Sequence, residues 1–100
     1  MNKKELIYTY LLMHALGYNN RIKADMLMII ADIDNHKTFR RLIEELRLDK
    51  TRAIIGSEAG SNGGYFICAT EEEKQKTINH FTHRAGQMYK IANILKGKRV

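Results

Sequence analysis

The chain has 100 residues, of which 44% are hydrophobic and 28% are charged, with a formal net charge of +6 at pH 7. This length suits one small domain and excludes a second independent core. A lone cysteine, Cys68, excludes an internal disulfide, and no apolar run approaches the roughly 18 residues of a membrane span. We therefore expect a cytoplasmic protein with no membrane segment, and the excess of cations favours an anionic partner.

Two helices are predicted before residue 32. The first covers Lys3 to Leu16, because apolar residues recur there every three or four positions, and Gly17 is placed to end it. After a polar turn, the second helix is predicted from Arg21 to about Ala31. Its apolar surface is expected to come from Met26, Leu27, Ile29 and Ile30.

A third helix is predicted behind a polar corner at residues 31–35. Asp34 or Asn35 can cap it, because either side chain accepts amide protons of the first turn, and it ends near Leu46 or Leu48. At about 100° per residue, its apolar and basic side chains fall on opposite sides. We expect the apolar set in the core, namely Phe39, Leu42, Ile43 and Leu46. The polar set is expected in solvent, namely Lys37, Arg40, Arg41 and Glu44.

Two β-prone runs then flank a glycine-rich segment. The runs are Arg52–Ile55 and Tyr65–Ala69, and Gly56–Gly64 separates them. Gly63 and Gly64 are expected to adopt the positive φ angles that a hairpin return needs. The pattern therefore predicts a β-hairpin.

A long last helix is predicted after Thr70, reaching as far as Lys96. Thr70 can cap it, Glu73 occupies the capping-box position, and acidic residues lie at its positive dipole end. A helix of about 25 residues would be about 37 Å long, more than a domain of this size can cover. Its apolar residues form an a/d seam over nearly three heptads. The seam consists of Ile78, Phe81, Ala85, Met88, Ala92 and Leu95.

The seam has two interpretations. We expect part of it to pack on the first helix and the rest to meet a second copy in a homodimer. In the alternative, the whole seam is intramolecular core. We expect the cations of this helix and tail to be mainly solvated charges, and the alternative is that they contact phosphates. These cations are Lys74, Lys76, Arg84, Lys90, Lys96, Lys98 and Arg99.

The order of these elements indicates an α+β, mostly helical fold, a winged helix-turn-helix with a long C-terminal helix. Residues 1–70 would form three helices and a β-hairpin wing, and residues 71–100 the C-terminal helix of the same domain. The third helix has the geometry of a major-groove reader, whose N-terminal residues meet base edges. Arg40 and Arg41 can each form a two-pronged contact to guanine, and His36 and Thr38 flank the face as candidate phosphate contacts. The alternative is that the basic face of the third helix is only in contact with solvent and binds no DNA.

Two segments resemble a known family. Ala31–Leu46 resembles the corner and third helix of bacterial and phage winged helix-turn-helix proteins. Gly60–Ile67, followed by an acidic helix start, is similar to the wing of small proteins carried by phages and prophages of Gram-positive bacteria. The resemblance implies base reading by Lys37, Arg40 and Arg41, a wing tip at Ser61 and Asn62, and a DNA-backbone contact at Arg52. The chain departs from the pattern at the wing, where Glu58 stands and many such proteins have a cation.

Two functions follow from this interpretation. The first is a dimeric protein of a phage or mobile element that binds double-stranded DNA in the bacterial host cytoplasm. It would act as a transcriptional regulator or a replication accessory factor. The second is a winged helix that binds and inhibits a host protein, such as a helicase loader or a defence nuclease. Glu44 and the wing without cations favour this alternative.

Motifs for catalysis or cofactor binding are missing from the sequence. His80 and His83 have a spacing seen in metal sites, but the further ligands that a structural zinc needs are not nearby. The glycine-rich segment lacks the Gly-Lys-Ser/Thr of a phosphate-binding loop. We therefore expect no enzyme, no cofactor and no metal.

Overall fold

In the computed structural model, which describes residues 1–99, four α-helices surround one antiparallel β-hairpin. The predicted α+β, mostly helical class is confirmed. The elements in chain order are α1 (Lys3–His14), α2 (Ala24–Ile30), α3 (His36–Leu48), β1 (Ile55–Glu58), β2 (Gly64–Ile67) and α4 (Glu71–Lys96), with a short 3-10 turn at Tyr18–Asn20.

Helix α1 begins where predicted and ends two residues early. The side chain of Asn2 caps it by accepting a hydrogen bond from the Glu5 amide at 2.8 Å. The helix stops because the backbone on either side of Leu16 pairs with β2 instead. The Ile67 amide donates to the Ala15 carbonyl, and the Gly17 amide donates to the Ile67 carbonyl, each at 2.8 Å. Gly17, which was expected to end the helix, lies three residues beyond its last residue and has a φ of +86°, which suits glycine.

The predicted start of the second helix at Arg21 is wrong. Ile22 lies beside β2 and exchanges two backbone hydrogen bonds with Tyr65, each 2.8 Å long. This pairing holds residues 21–23 extended and delays α2 to Ala24. The predicted apolar face also needs correction, because Leu27 and Met28 are buried whereas Met26 and Ile29 are exposed.

The corner between α2 and α3 fixes the direction of α3. Ala31 and Ile33 are buried there, and Asp32 takes the left-handed conformation with a φ of +53°, which Asp tolerates better than most residues. Asn35, one of the two predicted caps, accepts hydrogen bonds from the amides of Lys37 at 2.7 Å and Thr38 at 3.3 Å. The predicted inward face of α3 is confirmed, with Phe39, Leu42, Ile43 and Leu46 all buried.

The hairpin pairs Ile55 with Ile67 and Glu58 with Gly64, so its first strand begins three residues later than predicted. The expectation of positive φ at Gly63 and Gly64 is wrong, since the turn glycine with a positive φ, +101°, is Gly60. Gly64 is required instead by close packing. A Cβ there would lie 2.7 Å from the Ile22 carbonyl oxygen.

One core joins α1, α2, α3 and the inner face of the hairpin. Its fully buried large side chains come from all four elements, and the ring of Tyr65 meets that of Phe39 edge to face at a centroid distance of 5.3 Å. The largest are Ile7, Leu11, Leu27, Phe39, Leu46 and Ile55.

Helix α4 extends to Lys96, as predicted, and its start is well anchored. Thr70 accepts a hydrogen bond from the Glu73 amide at 3.1 Å. The Glu73 carboxylate accepts from the amides of Ala69 at 2.8 Å and Tyr18 at 3.1 Å, which ties the helix to the turn after α1. The helix then packs mainly on β1, whereas we expected α1. None of its residues 71–96 is buried, so the alternative of a fully intramolecular seam is wrong.

Candidate nucleic-acid interface

The outward face of α3 is a basic surface on a helix whose other face is buried in the core. Four buried side chains fix the rotation of this helix about its axis, and the Asn35 cap fixes its first turn. His36, Lys37, Arg40 and Arg41 are exposed, and Thr38 is half-buried. The predicted reading residues therefore lie together on one accessible face, beside the exposed carboxylate of Glu44.

The cations of this face differ in how they are held. Arg41 donates to Glu45 at 2.9 Å, one turn further along α3, and Glu45 also lies 3.6 Å from the Lys4 ammonium of α1. For Lys37 and Arg40, no ion pair forms within residues 1–99. An exposed pair such as Arg41–Glu45 contributes about 0.3–0.5 kcal/mol. Arg41 can therefore leave Glu45 for a ligand at little cost in free energy, and Lys37 and Arg40 have no ion pair to break within the described part of the chain.

A groove of about 830 Å³ adjoins this face and separates α3 from α4. Arg40 lines it from α3 and Arg84 lines it from α4, with His80 also on the α4 side. The loop after α3 contributes Lys50. The basic surface of α3 is thus continuous with cations of α4, which the sequence alone did not bring together.

Arg47 is a structural cation that the sequence did not single out. Its Nε donates to the Ile55 carbonyl at 2.9 Å, and its Nη2 donates to the Ser57 hydroxyl at 3.0 Å. The guanidinium lies over the Phe81 ring, 5.0 Å from its centroid. Burial lowers the pKa of Arg47, because desolvation disfavours the charged form. The sequence does contain a signal for this structural role. On the helix wheel Arg47 lies about 40° from the buried Ile43, at the edge of the inward face.

Arg52, which the resemblance assigns to the DNA backbone, is engaged within the protein. Two of its guanidinium nitrogens donate to the Glu5 carboxylate, and its Nε donates to Asp49 at 3.2 Å. The guanidinium also lies 4.7 Å from the Tyr8 ring centroid. These contacts join α1 to the loop between α3 and β1. We therefore leave Arg52 out of the candidate interface.

The same loop holds two carboxyl groups with lowered pKa values. Hydrogen bonds from the hydroxyl and amide of Thr51, with a further one from Arg52, lower the pKa of Asp49 to about 2. The hydrogen bond from Arg52 lowers the pKa of Glu5 below its usual value. Both carboxyls are therefore ionised in the folded protein at neutral pH.

The hairpin tip carries Ser61 and Asn62, both exposed as the resemblance implies. A neighbouring cation, Arg21, is bound against this tip within the protein. Its Nε donates to the Asn62 carbonyl at 2.6 Å and lies 3.7 Å from the Glu58 carboxylate, and its guanidinium is 4.2 Å from the Tyr18 ring centroid. The Tyr18 hydroxyl donates to Glu58, which raises the pKa of Tyr18. Sequence reasoning missed Arg21 because it placed this residue at the start of a helix.

A site for a metal ion is not formed by the described residues. Within residues 1–99, no three His, Cys, Asp or Glu side chains come together in a way that could hold a metal. His80 and His83 are exposed on α4, and Cys68 is half-buried with its Sγ 3.6 Å from the Thr77 hydroxyl.

Comparisons with protein-family models, with curated proteins and with solved structures found no match to this chain. None of the helices in residues 1–99 is both long and apolar enough to cross a membrane. What the basic surface binds must therefore be inferred from its own residues and geometry.

Proposed function

We propose that this chain is a winged helix-turn-helix domain that binds double-stranded DNA through the outward face of α3. It would serve a phage or another mobile element as a transcriptional regulator or a replication accessory factor. The observation that carries the proposal is the split of α3 into two faces. Its buried face fixes the helix, while Lys37, Arg40 and Arg41 project from its N-terminal half.

The arrangement around α3 supports the fold assignment. A tight corner with a left-handed Asp32 separates α2 from α3, and a hairpin follows α3. Ile22 pairs with Tyr65 of β2 between the first and second helices, which adds an isolated β-bridge at the edge of the hairpin. This order of elements and pairings is compatible with a winged helix-turn-helix.

DNA binding would combine two kinds of contact. The N-terminal end of α3 would enter the major groove, where its positive dipole end favours a neighbouring phosphate. The planar fork of Arg40 can donate two hydrogen bonds to one guanine, which supplies sequence information. Lys37, His36 and the α4 cation Arg84 would contact phosphates, which adds affinity without sequence preference.

The test is a binding titration by fluorescence anisotropy, with a duplex selected by the protein from a random library. Arg40→Ala should lose about 1–3 kcal/mol, roughly 5- to 150-fold in affinity, for the selected duplex. Arg40→Lys keeps the charge and loses the fork, so it should show most of that loss on the selected duplex and little on random duplex. Lys98→Ala, one charge removed beyond the end of α4, is the matched control. Equal binding by the wild type and Arg40→Ala on both duplexes would refute the proposal.

A second candidate function is binding to a host protein, such as a helicase loader or a defence nuclease. One observation favours it, namely that Leu48, Ile54 and Phe81 are exposed around the groove beside α3. Exposed apolar side chains next to a functional face are typical of protein interfaces. A partner retained from nuclease-treated host lysate by the wild type and by Arg40→Ala, and lost with Leu48→Asp, would favour this function over DNA binding.

A further inference from the structure

From Ile78 onward, α4 carries an apolar stripe that its own domain leaves largely in solvent, although the Arg47 guanidinium lies over one side of the Phe81 ring. From Ile78 to Arg99 every residue is exposed. The larger apolar side chains of this stretch have between 42% and 74% of their surface in solvent. They are Ile78, Phe81, Met88, Tyr89, Ile91, Ile94 and Leu95.

A helix with this exposure needs a partner. Isolated helices shorter than about 12–15 residues are marginal in water, and a glycine in the interior costs about 1 kcal/mol relative to alanine. Beyond Phe81 only 15 residues of α4 remain, and Gly86 stands among them with no atom near the position of a Cβ. Tertiary packing is the usual source of stability for such a segment, so another surface must supply it.

We propose that this surface is the same stripe of a second copy, paired antiparallel to the first. The inference goes beyond DNA binding and does not rest on it. In the antiparallel register Ile78 meets Leu95 of the partner copy, Phe81 meets Ala92, and Ala85 meets Met88. Each layer then combines one large side chain with a smaller or medium one, which gives the interface an even width.

A parallel pair would pack less well. It would place Phe81 against Phe81, and Ala85 against Ala85, so wide and empty layers would alternate along the seam. It would also bring both domains to the same end, because α4 packs on its own β1 in its first turns. The antiparallel arrangement places the domains at opposite ends.

The charges of α4 agree with self-association. No Asp or Glu follows Glu73 in the sequence, so two copies would repel each other if their cations faced the seam. On the helix wheel Lys76 and Lys90 lie on the far side from the seam. The flanking positions pair Arg84 with Ile91, and Thr82 with Tyr89, so no two cations oppose each other there.

The area is sufficient for a stable dimer. The exposed apolar side chains of the seam and its flanks amount to about 700 Å² per chain, taking about 200 Å² for each whole side chain. Two chains together could bury at most about 1,400 Å² of this apolar surface, which reaches the range of specific interfaces. Exposed stripes of this size are uncommon on monomeric proteins.

The mass of the protein in solution without DNA tests the proposal. Light scattering and sedimentation over a concentration series should give the mass of two 11.6 kDa chains for the wild type. Met88→Lys, in the seam, should halve that mass. Gln87→Lys adds the same charge on the opposite face and should stay dimeric. The mass of one chain for the wild type at every concentration, or dimers in both variants, would overturn the proposal.

Cysteine cross-linking tests the direction of the pair, and it remains informative if Met88→Lys fails to fold. In a Cys68→Ser background, a mixture of Ile78→Cys and Leu95→Cys chains should cross-link efficiently. Ala92→Cys alone should not, because the two cysteines would lie about 16 Å apart along the helix axis. Efficient cross-linking of Ala92→Cys would exclude the antiparallel register. Neither experiment involves α3, so a failure here leaves the Arg40 titration unaffected.

Discussion

Replacing Arg47 with methionine removes a guanidinium that joins α3, β1 and α4, and keeps most of the apolar stem. The change deletes hydrogen bonds to the Ile55 carbonyl at 2.9 Å and the Ser57 hydroxyl at 3.0 Å, and a cation–π contact with Phe81. Charge-assisted hydrogen bonds contribute about 1.5 kcal/mol or more each, and a partly exposed cation–π contact about 0.5–1 kcal/mol. Burial of Ile55 also leaves its carbonyl with less access to water. We expect a loss of about 3 kcal/mol in the free energy of unfolding.

Urea unfolding followed by circular dichroism measures this loss at one protein concentration. A loss of about 3 kcal/mol corresponds to a fall in Tm of roughly 12–24 °C for a domain of this size. Arg41→Met is the control, because it removes an arginine from the same helix that forms only a surface pair with Glu45. That control should cost less than about 0.5 kcal/mol. Equal stability of the two variants would show that Arg47 does not hold α3 against the hairpin.

Three further predictions concern the hairpin, α4 and the loop after α3. Gly64→Ala would place a Cβ 2.7 Å from the Ile22 carbonyl, so we expect it to cost about 1–3 kcal/mol in urea unfolding. Gly86→Ala, in open space on α4, should instead stabilise the protein by up to about 1 kcal/mol. The pKa values of Glu5 and Asp49 are lowered on folding, in Asp49 from 3.8 to about 2. Their contribution to stability is therefore complete above about pH 5 and is lost as the pH falls towards about 2. Unfolding curves across this range should show the loss, and Arg52→Met should reduce its size; an unchanged pH dependence would contradict the assignment.

The parts of the fold that sequence reasoning predicted depend on local patterns. The inward face of α3 follows from the spacing of Phe39, Leu42, Ile43 and Leu46, because the helix period alone decides which residues share a face. The start of α4 follows from Thr70 and its capping hydrogen bond, which spans three residues. The helix period also places the predicted reading residues on the opposite face of α3, and His36, Lys37, Arg40 and Arg41 are exposed there.

The parts that sequence reasoning missed depend on contacts between distant residues. Ile22 leaves its helical pattern because Tyr65, 43 positions later, offers two backbone hydrogen bonds. Gly64 must be small because the Ile22 backbone passes close to it, and no local turn pattern reveals this. Arg52 is not part of the candidate interface because its guanidinium binds the carboxylate of Glu5, which is 47 residues away in sequence. A charge pattern read along the chain cannot show which cations already have partners.

Five arginines therefore fall into two groups that would contribute differently to the proposed DNA binding. Arg21, Arg47 and Arg52 are each bound to carbonyls or carboxylates of other elements, and they hold the hairpin, the end of α3 and α1 in fixed relation. Because their charges are already matched or partly buried, they release few counterions when a polyanion arrives. Arg40 and Arg84 face the open groove, so the salt dependence of binding would be set by exposed cations of this kind. The net charge of +6 is therefore not spread evenly over the surface. Little positive charge faces a ligand at the hairpin, and more of it lies along α3 and α4.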